Sequence, residues 1–449
     1  MTYSEYIKSV KDKNIGFLGI GRSNMPLIRM LCKEGISVTV RDGKEKGSFG
    51  DMERELESLG VTMITGKDYL KNLAVHDIIY KTPGIRGDKP EILEAEALGT
   101  LVTSEMELFF ELCPCKIFAV TGSDGKTTTT TLIYKILTEA GYTCHLGGNI
   151  GRPLIGDIEK IKSTDFAVVE LSSFQLFNMK KSADVAVITN ISENHLDWHK
   201  DYEEYIEAKK NIFIHQESDD LVVLNEDNFY TREMKDDKDG NVKTFSRNTK
   251  ADVYLENGVI YSDKVEIIKA SDIKIPGMHN VENYMAAIAA THFYVSPEDI
   301  KKVAMTFGGV EHRNELVRVL SGVSYYNDSI ASSPTRTMAT LSSFNEKVIL
   351  IAGGYDKNLN YEPLGPVIKD KVKHLVLVGA TSDKIEAAAK NAGFFNIERT
   401  TDFAEAINLA KSAAEKGDKI VLSPASASFD MFKDFEQRGN IFKEIVNSL

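Results

Sequence analysis

Cysteine is scarce in this chain. Four occur among 449 residues, at Cys32, Cys113, Cys115 and Cys144, too few for a disulfide framework. Cys113-Pro114-Cys115 sets two thiols side by side, but no second pair completes a zinc site, so a reduced pair is expected. Long apolar runs are lacking too, and none approaches the roughly 18 residues of a membrane span. The opening stretch, MTYSEYIKSVKDKN, is polar and does not read as a signal peptide. A cytoplasmic protein without membrane insertion is therefore expected. Basic charge is in deficit, leaving a net charge of −12. That argues against generic nucleic-acid binding, which draws most of its affinity from a basic surface. Anionic substrates remain compatible, because phosphate sites are local. There is no internal repeat, and no low-complexity tract beyond the threonines after Lys126.

What is present describes an ordinary globular chain, 42% hydrophobic and 27% charged, with a length that suggests about three domains. Its organising stretch is 116–140, KIFAVTGSDGKTTTTTLIYKILTEA. An apolar run of strand length, 117–120, turns through Thr121-Gly122-Ser123-Asp124-Gly125 into Lys126-Thr127-Thr128. Apolar residues then recur at Leu132, Ile133, Ile136, Leu137 and Ala140, one face of a helix. Strand, glycine loop, Lys-Thr and helix form the layout that holds a nucleotide triphosphate. Lys126 is expected on the β/γ-phosphates and the Thr127 hydroxyl on Mg²⁺. The usual G-x-x-x-x-G-K-S/T loop has glycine where this chain has Val120, so the loop reads T-G-x-x-G-K-T.

Before that stretch, a strand at 15–18 leads through Gly19-x-Gly21 to a helix near 25–33, and a second strand ends at Asp42. The arrangement suggests a dinucleotide-type fold with phosphate near the first turn and a ribose or base near Asp42. Asn24 stands where the third fingerprint glycine belongs, which leaves a Rossmann-like domain without ligand as the alternative. A further strand at 77–81 ends in Thr82-Pro83-Gly84-Ile85.

Beyond the phosphate loop, Gly147-Gly148-Asn149-Ile150-Gly151 offers a turn where backbone can approach a ligand closely. The strand 166–170 ends in Glu170, either a carboxylate for Mg²⁺ or a surface acid closing a strand. Strand 185–189 runs into the loop 190–197, which carries His195, read as a metal ligand with a structural histidine as the alternative. From Asp201 a helical stripe joins Tyr202, Tyr205, Ile206, Ile212 and Phe213; Lys209 lies on it and Lys210 points elsewhere. A buried amine without a partner tends to lose its charge. In the neutral form it can take up CO₂ and become a carbamate, a carboxylate-type metal ligand. The other course for Lys209 is to snorkel to solvent. Short strands follow at 221–224, 253–255, 259–261 and 265–268, around a charged, solvated loop at 232–243. A helix at 280–293 opens with Asn280 and Asn283, amides suited to a base edge or, for Asn280, to capping. Phe307-Gly308-Gly309 reads as a hinge. A third αβ unit places strands at 317–320, 323–327, 348–352, 374–378 and 419–422.

Together TGSDGKTTT, the Glu170 strand, NHLDWH, EAKKN, GMHNVENYMAA, EHRNE, NDS and SPASASFDMFKDFEQRGNIF resemble the Mur ligases, ATP-dependent amide ligases that build the peptide of the bacterial cell wall. ELSSFQL and the C-terminal run are most similar to members that add D-glutamate. Sister ligases, a folylpolyglutamate-type synthase and a non-catalytic nucleotide-binding protein are the alternatives. The resemblance implies an α/β chain of three domains. A Rossmann-like domain at 1–114 takes the UDP-sugar nucleotide. A P-loop ATPase-like parallel sheet with a small extra sheet, at 115–308, binds ATP. A second Rossmann-like domain, at 309–449, takes the amino acid.

It further implies ATP contacts from Gly122, Ser123, Asp124, Gly125, Lys126, Thr127, Thr128, Asn280, Asn283, Arg313 and Asp328. Two Mg²⁺ sites would draw on Thr127, Glu170, His195 and carbamylated Lys209. UDP-N-acetylmuramoyl-L-alanine would meet Arg22, Ser23, Asp42, Gly84, Asn149, Ser172 and Gln175, and D-glutamate would meet Ser332, Lys357, Ser428, Phe429 and Phe435. Lys126, Glu170, His195, Lys209 and Arg313 are the implied catalytic set, acting through an acyl phosphate in a monomer that closes about Gly308-Gly309. Many members read Asp-Ser-Lys after the strand ending at Asn327; here Ile330 takes the third place.

Overall fold

The computed structural model describes residues 1–196, 198–237 and 240–449; Asp197 of the His195 loop, and Lys238 and Asp239 of the expected charged loop, lie outside the described residues. Among the described residues the strands form three sheets. The first sheet holds β1 (Ile15–Leu18), β2 (Val38–Asp42), β3 (Thr62–Thr65), β4 (Ile78–Lys81) and β5 (Leu101–Thr103), all parallel, in the order β3-β2-β1-β4-β5. β1 is buried at every residue, as a parallel strand covered on both faces must be. The winding reverses between β1 and β4, so their carboxyl ends flank the crevice where such sheets take ligands.

The second sheet comprises β6 (Lys116–Thr121), β7 (Cys144–Gly148), β8 (Phe166–Glu170), β9 (Val185–Ile188), β10 (Leu221–Asn225), β11 (Asn241–Ser246), β12 (Val253–Glu256), β13 (Val259–Ser262) and β14 (Val265–Lys269). β6 lies between β8 and β9 with all three parallel, and β12 to β14 add an antiparallel extension. The expected charged loop is corrected here. A short helix (Phe229–Glu233) and a 3₁₀ turn (Met234–Asp237) occupy its first part, and β11 begins at Asn241. β11 is held by parallel pairing to β10 and β12, partners that its half-exposed residues do not announce.

The third sheet has β15 (Glu315–Leu320), β16 (Val323–Asn327), β17 (Val348–Ala352), β18 (Val372–Val378), β19 (Ile397–Thr400) and β20 (Lys419–Leu422), in the order β15-β16-β20-β17-β18-β19. β19 escapes the sequence pattern, because it is an exposed edge strand with no apolar run. One apolar cluster covers each face, one around Leu350, Leu364 and Ile385, the other around Ile349, Ile407 and Phe442.

Contacts divide the chain into two compact units, 1–273 with 278–305, and 274–277 with 306–449. Within the first, residues of both sheets share one apolar core that includes Phe17, Tyr80, Phe109, Ile117, Ile155 and Val169.

Candidate active site

β6 delivers the chain into a loop that needs glycine at two points. Gly122 has φ +145°, and a Cβ there would stand 2.0 Å from Thr189 Oγ1. Gly125 has φ +78°, and its Cβ would meet Asn283 Oδ1 at 2.3 Å. Gly125 is also the N-cap of the helix Lys126–Glu139, whose first backbone N–H groups have no intrahelical acceptor. Lys126 Nζ folds back over the loop and donates to the carbonyls of Gly122 (2.8 Å) and Ser123 (2.8 Å). Thr127 is buried and Thr128 half-buried. Asn190 braces the outer side, its backbone oxygen accepting from Ser123 N and its side-chain oxygen from Asp124 N, both at 2.9 Å. Asn283 is buried beside the loop; its Oδ1 accepts from Thr129 Oγ1 at 3.2 Å and its amide donates to Asn280 Oδ1 at 3.3 Å.

Glu170 ends β8 in register with Val120 of β6 and is 2% exposed. Its Oε1 accepts from Asn149 Nδ2 at 2.8 Å, while Oε2 is buried with no hydrogen-bond partner. The surface-acid alternative is thereby removed. A buried carboxylate oxygen left bare is costly unless a donor or cation meets it, so Glu170 fits a hard metal ion.

Lys209, from the helix Tyr202–Lys210, is 1% exposed, which excludes snorkelling. Its Nζ donates to Thr121 Oγ1 (3.2 Å) and Gly122 O (2.9 Å) and lies 4.7 Å from the centre of the Tyr205 ring. Burial, and then the neighbouring Lys126 charge, hold the amine well below the ordinary lysine pKa; Glu170 and Asp124 oppose them. Lys210 pairs instead with Glu207 and Asp237.

His195 is exposed at φ +56°, its ring 4.8 Å from that of Phe174. Among the described residues, no three His, Cys, Asp or Glu side chains form a ready metal cluster. Glu170 and buried Thr127 offer oxygens that fit a cation, with the Lys209 amine beside the same loop.

Sequence reasoning missed a chain of contacts next to His195. His199 is buried, with Nε2 2.9 Å from Ser173 Oγ and Nδ1 3.3 Å from Glu204 Oε1. Arg86 donates to both Glu204 oxygens at 2.9 Å and to Trp198 O at 2.7 Å. Only the Asp201-x-x-Glu204 spacing hinted at any of this, as a helix cap.

In the first sheet, Arg22 and Ser23 follow β1, Asp42 ends β2 and Gly84 follows β4, all at strand carboxyl ends. Asp42 accepts from the backbone N–H groups of Ile20 (2.8 Å) and Lys44 (2.9 Å), so its carboxylate ties the first turn to the second strand. Asn24 occupies the missing glycine's place because its amide binds Gly19 O at 3.1 Å and spans to Leu18 O and Tyr80 O, each at 3.4 Å. Ser172 and Gln175 cap the short helix Ser173–Leu176 reciprocally.

The second unit groups its candidate residues at the carboxyl ends of β16, β17 and β20. Asp328 is 2% exposed; it accepts from Thr340 Oγ1 (2.6 Å), Ser423 Oγ (2.7 Å) and Asn314 N (3.2 Å). Burial raises its pKa to about 6. Arg313 is exposed in the turn where its N–H donates to Val310 O. Ser332 is half-buried, Ser428 buried and Phe429 58% exposed, with Lys357 Nζ 5.5 Å from the Phe429 ring. Phe435 opens the last helix, and its carbonyl accepts from Ser329 Oγ at 2.8 Å. Arg438 is a further residue that sequence reasoning missed. Buried, it donates to Ser329 O (2.8 Å), Ser426 O (3.2 Å) and Ala427 O (3.1 Å), joining two of the loops.

A glycine loop on a central parallel strand, a lysine folded over it and a bare buried acid on the next strand define a nucleotide-dependent enzyme of the α/β class. The description "Mur ligase middle domain" matches residues 120–291, and "Mur ligase, glutamate ligase domain" matches 312–426. With full-length relatives about half identical, the chain belongs to the Mur ligase family. It is 54% identical to the UDP-N-acetylmuramoylalanine–D-glutamate ligase of Acetivibrio thermocellus, over 99% of this chain and 98% of that one. It is 52% identical to the enzyme so named from Ruminiclostridium cellulolyticum, with the same coverage. Among solved structures, MurF from Acinetobacter baumannii shares the fold at a TM-score of 0.63 and 15% identity, covering 99% of each chain. The UDP-N-acetylmuramate–alanine ligase MurC from Thermotoga maritima does so at 0.58 and 19%, covering 97% of this chain and 99% of that one.

Proposed function

We propose that this protein is an ATP-dependent ligase that joins D-glutamate to UDP-N-acetylmuramoyl-L-alanine, in the synthesis of the peptidoglycan precursor. The observation that carries the reading is the convergence of Lys126 and Lys209 on Gly122 O beside the bare Glu170 oxygen. The names of the full-length relatives supply the substrates.

ATP occupies the loop 122–128, with Lys126 turning from the loop carbonyls to the phosphates, Asn280 and Asn283 towards the base, and Arg313 and Asp328 completing the set. The L-alanine carboxylate attacks the γ-phosphorus, the bond to ADP breaks, and an acyl phosphate forms. The amine of D-glutamate then attacks the acyl carbon, loses a proton, and expels phosphate to leave the amide. Two anions meet in the first step, so preorganised positive charge lowers the barrier most. Magnesium on Thr127, Glu170, His195 and the carbamate of Lys209 would supply further charge neutralisation there. The neutral amine that burial favours at Lys209 is the form that takes up CO₂.

Arg22, Ser23, Asp42 and Gly84 are assigned to the UDP end of the substrate, and Asn149, Ser172 and Gln175 to its growing end. Ser332, Lys357, Ser428, Phe429 and Phe435 are assigned to D-glutamate. A cytoplasmic monomer with the three domains 1–114, 115–308 and 309–449 completes the reading. The test is product formation from ATP and UDP-N-acetylmuramoyl-L-alanine with D-glutamate, L-alanine, L-lysine or meso-diaminopimelate in parallel. Ligation of D-glutamate alone is expected; a different amino acid, or none, rejects the proposal.

A further inference from the structure

The loops after β16, β20 and β17 make one continuous rim. Asp328 N donates to Leu422 O at 2.8 Å, and Tyr355 N donates to Ala427 O at 2.8 Å. A dianionic amino acid seated on this rim needs cations that are not already committed. Arg438 is buried and its donors are taken by loop carbonyls. Lys384 pairs with Asp356 at 2.7 Å. Ile330, in the middle of the first loop, carries no charge. Among the described residues of the rim, Lys357, set against an exposed aromatic ring, Lys433, exposed near the end of the loop after β20, and Arg336 are the remaining cations, and Arg336 is the one anchored to a loop carbonyl.

Arg336 stands on the first turn of the helix Pro334–Ser342 and is exposed. Its side chain reaches back along the loop, where one guanidinium nitrogen donates to Ile330 O at 3.2 Å. That anchor sets the planar group beside Ser332, whose own N–H turns in to the same carbonyl at 2.8 Å. A guanidinium has five donors, so one bond to a carbonyl leaves a fork able to grip a carboxylate through two parallel hydrogen bonds. From these contacts we infer that Arg336 binds a carboxylate of the incoming amino acid and, with Lys357, sets the preference for an acidic substrate. The inference rests on the proposed ligase reading.

The test measures KM for all three substrates in the full-length enzyme and in Arg336→Gln and Arg336→Lys. Glutamine keeps the first part of the stem and a polar end but has no charge and a shorter reach. Arg336→Gln is expected to raise KM for D-glutamate about 10- to 100-fold, as loss of a charge-assisted pair does, with KM for ATP and the sugar nucleotide unchanged. Arg336→Lys should recover part of the loss, because charge returns without the fork. An unchanged D-glutamate KM in Arg336→Gln, or an equal rise for all three substrates, overturns the inference and leaves the ligase reading standing. A wild-type enzyme that does not ligate D-glutamate brings down both.

Discussion

Lys126 and Lys209 place their amines on a single acceptor, the carbonyl of Gly122, at 2.8 and 2.9 Å. Two like charges at that spacing repel, and the one deeper in the protein yields its proton more readily. Lys209 is that residue, and its lowered pKa follows from burial first and Lys126 second.

Lys209→Met should therefore fold at least as stably as the parent in bicarbonate-free buffer. In the parent, the folded-state pKa lies below the unfolded value of 10.5, so the unfolded chain binds the proton more tightly. The resulting penalty is absent above the unfolded pKa, grows as pH falls towards the folded one, and is constant below it. Urea midpoints measured across the alkaline range should show the variant's advantage widening as pH falls. Ligase activity should be lost, and in the active parent intact-mass analysis should find one CO₂ on Lys209.

Lys126→Ala removes the group that turns towards phosphate. The Gly122 carbonyl keeps Lys209 as a donor, so the fold should hold. Substrate-dependent phosphate release is expected to fall by about 10²–10³, the usual loss for one such electrostatic group.

Glu170→Gln keeps an oxygen for Asn149 Nδ2 and replaces the bare, buried Oε2 with an amide. Because the amide nitrogen placed there cannot ligate a cation, activity should drop by about two orders of magnitude or more. Higher magnesium should not restore it. Full recovery at high magnesium would mean that Glu170 acts elsewhere.

Asp328 predicts the opposite pH behaviour from an ordinary acid. Its folded pKa of about 6 exceeds the usual 3.8, so the folded state holds the proton more tightly. Stability then falls as pH rises between those values, by roughly 3 kcal/mol at about 1.4 kcal/mol per pH unit, and levels off above pH 6. Asp328→Asn removes this titration, and its urea midpoint should gain on the parent's as pH rises from about 4 to 6.5.

Glu204 behaves conventionally. Hydrogen bonds from Arg86 come first among the causes that lower its pKa to about 2, so its stabilising contribution is present above the usual 4.5 and lost as pH falls through about 2. Both side chains are about a fifth exposed, which limits the effect to roughly 1 kcal/mol after solvent screening. Arg86→Gln should lower the urea midpoint at pH 7 and shrink that difference in strong acid.

The glycine loop is legible in the amino-acid sequence alone, because its chemistry is local: a strand, two residues at positive φ, and a lysine at the helix start follow one another in the chain. The stripe of Tyr205, Ile212 and Phe213 likewise points to a buried Lys209, since helical spacing is a property of consecutive residues. Relationships between distant segments lie beyond that reach. The Glu170 oxygen is bare because Asn149 meets only one side of it, Asp328 titrates high because folding buries it more strongly than the hydrogen bonds from Thr340, Ser423 and Asn314 offset, and β11 is a strand because β10 and β12 flank it. Local order in this protein follows from backbone and side-chain preferences along the chain. The electrostatics of its site arise only when burial and long-range pairing decide which polar atoms are met and which are left alone.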